Sequence, residues 1–554
     1  MTTTDRVLAE SYWPANQDEA VNEVTIGDLL REAAATVPDR VALVDAVEDT
    51  DARRSWTYEE FLADATRAAK ALLTRYAPGD RVAIWAPNSA DWIILQQGIS
   101  LAGMILVAAN PAYRARELEY VLRHSGAVAL FYADSYRDFD LTTVVDEIRP
   151  QLPGLQGAIT FAEWPDFLAS GADVELELPE VAPTDPIQVQ YTSGTTGFPK
   201  GARLHHKGLA NAARLVAERA GMQDGGVNVN SMPMYHIGGG AVTSLGTLAK
   251  RGKFVIVPQF LPELMLETIE TYRGTHTLLV PTMLLALLDH PDREKRDLSS
   301  LQTIMSGAAT VPAALVRRTA DILGCRTSIL FGQTEMHGVI AQTRVTDSPE
   351  DQSETVGQPL PSLEIKIADE VTGEVQPIGE SGEICCRGYQ NMIEYHDMPE
   401  ETRATIDPEN WLHMGDRGCM DERGFIQITG RLKDMIIRGG VNIYPREIEE
   451  FLLTHPAVSD VAVVGVPDDK WGEQLAAVVR LSPGASMPSV EEMRTFSRSQ
   501  MSAHKTPFYW SFVEEFPVTP TGKIKKYMLR KQLSTGELGA DTHRPEADGR
   551  VEPE

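Results

Sequence analysis

The sequence predicts an α/β protein with three successive textures. Strand–helix–strand alternation runs through the first third. Short strands with frequent glycines and turn signals occupy about Glu354 to Gly430, and a compact α+β unit begins near Asp434. At 554 residues the chain exceeds one ordinary domain. The expected organisation is a large N-terminal domain over 1–432, built from parallel-sheet α/β subdomains plus a small β-rich subdomain, and then a small α+β domain over 433–533. Residues 534–554 are polar, charged and nearly free of large apolar side chains, so a disordered acidic tail is expected.

Each element has its own signal. Thr57-x-x-Glu60 is a capping-box signature that opens a helix to about Leu73. Arg81 to Ala86 reads as a buried strand, Pro87-Asn88 as a turn, Ser89 to Leu101 as a helix and Met104 to Ala109 as the next strand. That order favours a parallel sheet with helices on its faces. Ala127–Tyr132, Ile187–Gln190, Lys253–Val257, Thr277–Val280 and Thr303–Ser306 continue the strand series. In the last unit, Pro445 sits at a helix start, and Ile448, Phe451 and Leu452 mark its apolar face. Val461–Val466 and Leu475–Leu481 follow as strands, and Ser489-x-x-Glu492 is a second capping box.

Composition excludes several classes. Hydrophobic residues make up 43% and charged residues 23%, a globular balance with material for a large core. Asp and Glu number 79 against 51 Lys and Arg, a net charge of −28 that repels nucleic acid and anionic lipid. An anionic ligand must therefore be held by a local site. The four cysteines, Cys325, Cys385, Cys386 and Cys419, form no C-x-x-C pair and no histidine clusters near them, which argues against a structural zinc site. The N-terminus has no apolar signal core and no long apolar run exists, so a cytoplasmic protein without a membrane span is expected.

The most informative stretch is Tyr191-Thr-Ser-Gly-Thr-Thr-Gly-Phe-Pro-Lys-Gly201. Its glycines let backbone approach a ligand, Ser193, Thr195 and Thr196 add hydroxyls, and Lys200 adds a cation. This composition suits phosphate. The spacing from Gly194 to Lys200 is not that of a P-loop, and no hydroxyl residue follows Lys200.

The loop resembles the signature of the adenylate-forming superfamily, which comprises acyl-CoA synthetases, peptide-synthetase adenylation domains and luciferases. Phe331-Gly-Gln-Thr-Glu335, Trp411-Leu-His-Met-Gly-Asp416, Gly430-Arg-Leu-Lys-Asp-Met-Ile-Ile-Arg-Gly-Gly440 and Pro520-Thr-Gly-Lys523 resemble four further elements of that family, in the same order. Together they cover about Tyr191 to Arg530, whereas the N-terminal third matches only in texture.

The resemblance implies a two-step reaction. A carboxylate attacks the α-phosphate of ATP to give an acyl adenylate and pyrophosphate, and the thiol of CoA then takes the acyl group. It implies a nucleotide site at Thr192, Ser193, Gly194, Thr195, Thr196, Gly197 and Lys200, with Gly307, Ala308, Ala309, Phe331, Gly332, Gln333, Thr334, Asp416, Ile428, Arg431 and Lys523. Phe331 would stack on adenine, Asp416 would accept the ribose hydroxyls with Arg431 beside it, and Glu335 with Thr196 would hold Mg²⁺. Lys523 would bridge the carboxylate and the α-phosphate. Lys433 would be the hinge about which a mobile C-terminal domain alternates, and Arg438, Gly439 and Gly440 would meet CoA. The acyl pocket would be drawn from Tyr235, His236, Gly240, Met336, His337 and Gly338, with His236 either gating the acid or serving as an ordinary core residue.

Two departures stand out. Met414 replaces the usual threonine and Phe331 the commoner tyrosine, and neither removes a charge. Between Gly225 and Pro262 there is no Asp or Glu to pair with a substrate ammonium, which points to an acid without an amine. The glycines there suggest room for an apolar chain. A medium-chain or longer fatty acid is the expected substrate, with an aryl or alicyclic acid next. A ligase loading a carrier protein, and a catalytically dead nucleotide sensor, are the alternatives; the presence of Lys523, Glu335 and Asp416 disfavours the sensor. The expected partners are the acid, ATP and CoA, with no nucleic acid, and a homodimer is the candidate assembly.

Overall fold

The computed structural model describes residues 7–16, 20–192, 199–307, 311–439, 441–468, 470–499, 501–519 and 523–538. Four main sheets organise them. The first has the strand order Glu394–Tyr395, Lys200–His205, Pro186–Thr192, Ile105–Ala109, Arg81–Trp85, Ala129–Tyr132 and Gly157–Thr160, and its last five strands run parallel. The second has nine strands. Its parallel centre runs from Arg326–Phe331 through Thr303–Gly307, His276–Leu278, Val227–Asn230 and Lys253–Ile256 to Val41–Asp45.

Helices join these sheets as the sequence predicts. Thr57 caps Tyr58–Leu73 with a complete capping box, and Ser89 caps Ala90–Leu101. Every residue of Ala90–Leu101 except Asp91 is buried, so it is a core helix rather than an amphipathic surface one. It lies close against Tyr58–Leu73: a Cβ on Gly98 would stand 2.7 Å from the Ala68 Cβ.

The third sheet is antiparallel and forms the β-rich subdomain, with strands Tyr12–Trp13, Leu363–Ala368, Gly382–Gly388, Leu412–Met420 and Ile426–Arg431. Tyr12–Trp13 was not foreseen there. Trp13 is buried beneath Gly424, whose φ of +81° and contact with the indole leave no room for a side chain. The fourth sheet gathers Val441–Ile443, Ile436–Arg438, Gly472–Leu481, Val458–Asp468 and Tyr509–Val513. Helix Pro445–Leu452 packs Ile448 and Leu452 on it, and Ser489 closes the capping box of Val490–Arg498. Between the third and fourth sheets stands a short 3₁₀ turn, Leu432–Asp434.

The last helix, Lys526–Thr535, runs into the segment expected to be tail and is closed by left-handed Gly536; residues 539–554 lie outside the described ones. Among the described residues no helix is long and apolar enough to cross a membrane.

The contact at Gly98 gives a direct test. Gly98→Val drives the new side chain into a backbone-dense helix crossing. We expect a loss of about 1–3 kcal/mol, read as a lowered thermal midpoint with no change in the KM of the folded enzyme.

Candidate active site

The glycine-rich loop springs from a fixed stem. Thr192 and Lys200 are register partners on antiparallel strands, and the Thr192 hydroxyl donates to the Lys200 carbonyl at 3.5 Å. Ser193, Gly194, Thr195, Thr196 and Gly197 lie outside the described residues, as do Ala308, Ala309 and Gly440. The Lys200 ammonium rests 4.8 Å from the centre of the Tyr395 ring. Tyr395 in turn donates its hydroxyl to Glu335 Oε1 at 2.7 Å. Tyr395 is a site residue that no sequence motif marked.

Glu335 is delivered by a sharp reversal. Strand Arg326–Phe331 ends at Gly332, where a Cβ would stand 2.1 Å from the Gly338 carbonyl oxygen. Gln333 is extended, Thr334–Met336 forms a 3₁₀ turn, and His337 at φ +56° sends the chain back. Thr334 and Glu335 are nearly buried and Phe331 is half-buried at the strand end. Glu335 Oε2 has no hydrogen-bond partner among the described residues.

Asp416 and Arg431 are cross-strand partners, with Arg431 Nε 2.8 Å from Asp416 Oδ1. The carboxylate is buried and the guanidinium is largely exposed. Ile428, on the same strand as Arg431, is buried in the main core. Gly307 ends its strand where a Cβ would stand 2.4 Å from the Leu330 carbonyl oxygen.

Lys523 comes from the last unit, where Thr519 brackets it: the Thr519 hydroxyl accepts from Lys523 N at 3.0 Å. Burial, and then the nearby Arg431, lower its pKa to about 8; Lys433 acts in the same sense, while Asp416 and Glu335 oppose. Burial, with Arg431 next, likewise lowers Lys433. His236 is pushed down to about 4, first by burial and then by the Lys523 charge, so it is a neutral imidazole at pH 7. Its Nδ1 accepts from Gly238 N at 3.2 Å, which leaves the proton on Nε2. Elements of the second sheet, the β-rich sheet and the C-terminal unit thus converge on one ammonium.

The turn carrying His236 is held by polar residues that sequence patterns did not single out. The Asn88 amide donates to the Met232 carbonyl at 3.0 Å, and its oxygen accepts from Met234 N at 2.8 Å. Gln190 donates to the Tyr235 carbonyl and Gln96 to the Gly240 carbonyl, both at 2.8 Å. Gly238–Thr243 is a π-helical turn, a form often found at functional sites.

Two expectations about the acyl pocket need correction. Cβ atoms on Gly239 and Gly240 would stand 2.4 Å and 2.1 Å from the Pro233 and Met234 carbonyl oxygens. These glycines are demanded by backbone packing and do not by themselves open space. His337 is a buried brace: its Nε2 accepts from His205 N at 2.9 Å and its Nδ1 lies 2.7 Å from the Gln390 carbonyl oxygen. With both ring nitrogens engaged, it offers nothing to a substrate. Met336 is fully buried in the main core, and a Cβ on Gly338 would meet Val242 at 2.8 Å.

The AMP-binding enzyme model matches residues 30–396, and the model of the AMP-binding enzyme C-terminal domain matches 447–523. The chain belongs to the AMP-binding enzyme family. It is similar to the Bacillus subtilis (strain 168) protein YngI, an acyl-CoA synthetase by name, at 38% identity over 92% of this chain and 97% of the relative. It is 34% identical to the human mitochondrial medium-chain acyl-CoA ligase ACSF2, over 94% of this chain and 90% of that one. Among solved structures, ATP-bound MatB of Rhodopseudomonas palustris superposes with a TM-score of 0.82 at 28% identity, over 92% of this chain and 99% of MatB. Apo MatB, with the same coverage, gives 0.74. This AMP-binding enzyme therefore lies in the acyl-CoA synthetase branch of the adenylate-forming superfamily.

In this AMP-binding enzyme, Arg438 and Gly439 are engaged within the C-terminal unit. Arg438 donates to the Ala503 and His504 carbonyls at 3.3 and 2.7 Å, and left-handed Gly439 passes under Trp471. The unit is tied to the β-rich sheet by Tyr444, whose hydroxyl is 3.3 Å from both Glu370 oxygens and whose ring lies under Arg417.

Tyr395→Phe removes one hydrogen bond from Glu335 and keeps the ring under Lys200. We expect kcat/KM for ATP to fall about tenfold, the scale of one hydrogen bond to a charged group, with the thermal midpoint nearly unchanged. Steady-state pyrophosphate release at varied ATP and Mg²⁺ measures it.

Proposed function

We propose that this acid–CoA ligase activates a medium-chain fatty acid, with Lys523 as the group that carries adenylation. The observation behind this reading is the meeting of Lys523 with the charges of Asp416, Glu335, Arg431 and Lys433 and with neutral His236. The likeness to a medium-chain ligase and the uncharged stretch between Gly225 and Pro262 support the substrate class.

The reaction follows from electrostatics. Carboxylate and α-phosphate repel, so the barrier falls when a preorganised cation lies between them. Lys523 supplies that cation in a setting too dry to be indifferent to charge. When two anions arrive, its depressed pKa recovers and the ammonium is stabilised. Asp416 would accept the ribose hydroxyls, with Arg431 holding the carboxylate in place. Phe331 would offer a ring face to adenine. His236, uncharged and donating from Nε2, would line the acid side without adding a competing cation. Glu335, and Thr196 from the loop, fit Mg²⁺ by donor type: one Glu335 oxygen is fixed by Tyr395 and the other has no partner among the described residues. The ion when bound would neutralise phosphate charge.

Thioester formation needs a different face of the C-terminal unit. The turn Leu432–Asp434 contains Lys433 and lies between sheets, where few dihedrals need change to rotate one against the other. We assign Lys433 as the pivot and Arg438, Gly439 and Gly440 as the segment that meets CoA after rotation. The better superposition on ATP-bound than on apo MatB supports an adenylation-competent arrangement here.

The deciding assay offers ATP, Mg²⁺, CoA and a panel of fatty, aryl and alicyclic acids, and identifies products by mass spectrometry. Medium-chain acyl-CoA is the expected product. An aryl-CoA product refutes the acid class, and acyl-AMP accumulation unaffected by CoA refutes the acceptor. Lys523→Ala is expected to lose on the order of 10²-fold or more in acyl-adenylate formation, while supplied acyl-AMP is still converted to thioester.

The pH dependence follows from the same ammonium. Because the pKa lies near 8 and the protonated form is the active one, kcat/KM for ATP falls as pH rises through about 8. A profile flat through this range contradicts the role of Lys523.

A further inference from the structure

The outer face of the β-rich sheet carries a cluster that the ligase reaction does not use. Cys385 and His413 are cross-strand partners, and Glu383 lies on the same strand as Cys385. The sequence argued against a structural zinc site, because no C-x-x-C pair is present and no histidine clusters near the cysteines. Sheet register nevertheless brings Cys385 and His413 side by side. Cys385 Sγ is 3.6 Å from His413 Nδ1, and the same nitrogen is 2.7 Å from Glu383 Oε2. One donor atom from each residue lies within 4.8 Å of the other two.

The donor set has the chemistry of a transition-ion site. Zn–S bonds of about 2.3 Å and Zn–N bonds of about 2.0–2.1 Å at a tetrahedral centre put sulfur and nitrogen roughly 3.6 Å apart. The observed Sγ···Nδ1 separation, 3.6 Å, fits this, whereas the Nδ1···Oε2 separation, 2.7 Å, is a hydrogen-bond distance and must open by roughly 0.6 Å, through a rotation of the Glu383 side chain, for both atoms to reach one ion. The far ring nitrogen, Nε2, is 3.7 Å from Asp407 Oδ2, so a carboxylate stands on the side from which metal-bound imidazoles are usually oriented, beyond hydrogen-bond distance. Glu383 Oε1 accepts from Gly415 N at 3.2 Å, which fixes the carboxylate and leaves Oε2 to face the histidine. Cys385 is buried, while Glu383 and His413 are partly exposed and give an ion a way in.

We propose that Glu383, Cys385 and His413 bind a divalent transition ion of the Zn²⁺ type, with a fourth position open to water. On binding, the thiol proton of Cys385 leaves to solvent, His413 binds as the neutral imidazole with its one proton on Nε2, and bonds from Sγ, Nδ1 and Oε2 to the ion replace the contacts these atoms make with one another. The site is separate from the Mg²⁺ position at Glu335. It shares a strand with Asp416, so an occupant would stiffen the segment that presents the ribose-side carboxylate.

Cobalt titration of the chelator-stripped full-length protein tests this. The expected result is intense visible bands with a thiolate-to-cobalt charge-transfer band, saturating at one equivalent and abolished by added Zn²⁺. Cys385→Ser and His413→Ala lose the charge-transfer band, and Cys419→Ser keeps it. If the buried Cys385→Ser does not fold, the partly exposed His413→Ala carries the same test. Absence of the band in the unaltered protein, or its persistence in folded Cys385→Ser or His413→Ala, overturns the proposal.

Discussion

One partly dehydrated ammonium, Lys523, organises this molecule. Burial alone would favour its neutral form, and Arg431 and Lys433 press the same way; Asp416 and Glu335 resist them. The chain is strongly acidic, so its general field does nothing to draw anions in. A local nest of cations must do so, and a nest of cations is stable only if carboxylates are woven through it. Asp416 and Glu335 therefore serve twice. They offset the repulsion among Lys523, Lys433 and Arg431 in the free protein, and they present oxygens to ribose and to the metal in the proposed reaction.

In the proposed reaction the same ammonium must also be able to leave. It arrives on a unit whose contacts with the β-rich sheet include a tyrosine hydroxyl, a carboxylate and an arginine over a ring. Polar contacts of this kind exchange readily for water, whereas an apolar seam of equal area would lock the arrangement. Stability is instead invested inside each body. The helix pair at Gly98 and the C-terminal core around Trp510 are close-packed, each within one body of the proposed rotation.

Local signals were legible in the sequence and tertiary ones were not. Thr57, Ser89 and Ser489 announced helix starts because a cap is a contact between residues three apart. Parallel strands were readable because both faces are covered and the runs are apolar. Phe331 to Glu335 and Trp411 to Asp416 were readable because each compresses a turn and its chemistry into a few residues. Tyr12–Trp13 was invisible, since two residues pairing with Leu363–Ala368 leave no periodic trace. Tyr395 and Asn88 were invisible for a related reason: their partners, Glu335 and Met234, are fixed only by the folded topology. The triple glycine before Thr243 was legible but ambiguous, because glycine serves close backbone packing and open space equally well.

The strand Leu412–Met420 shows how one short motif does several jobs at once. Its residues alternate strictly between buried and partly exposed. Leu412, Met414, Asp416 and Met420 belong to the buried side, and Met414 packs in the main core. His413 and Arg417 point the other way, toward Glu383 and Glu370. The outward face thus carries both a donor cluster for an ion and the arginine that lies over Tyr444. Because His413 and Asp416 share this strand, we expect an ion bound on the outward face to reduce the freedom of Asp416 on the other. The alternation that buries a strand's apolar side also couples its two polar functions.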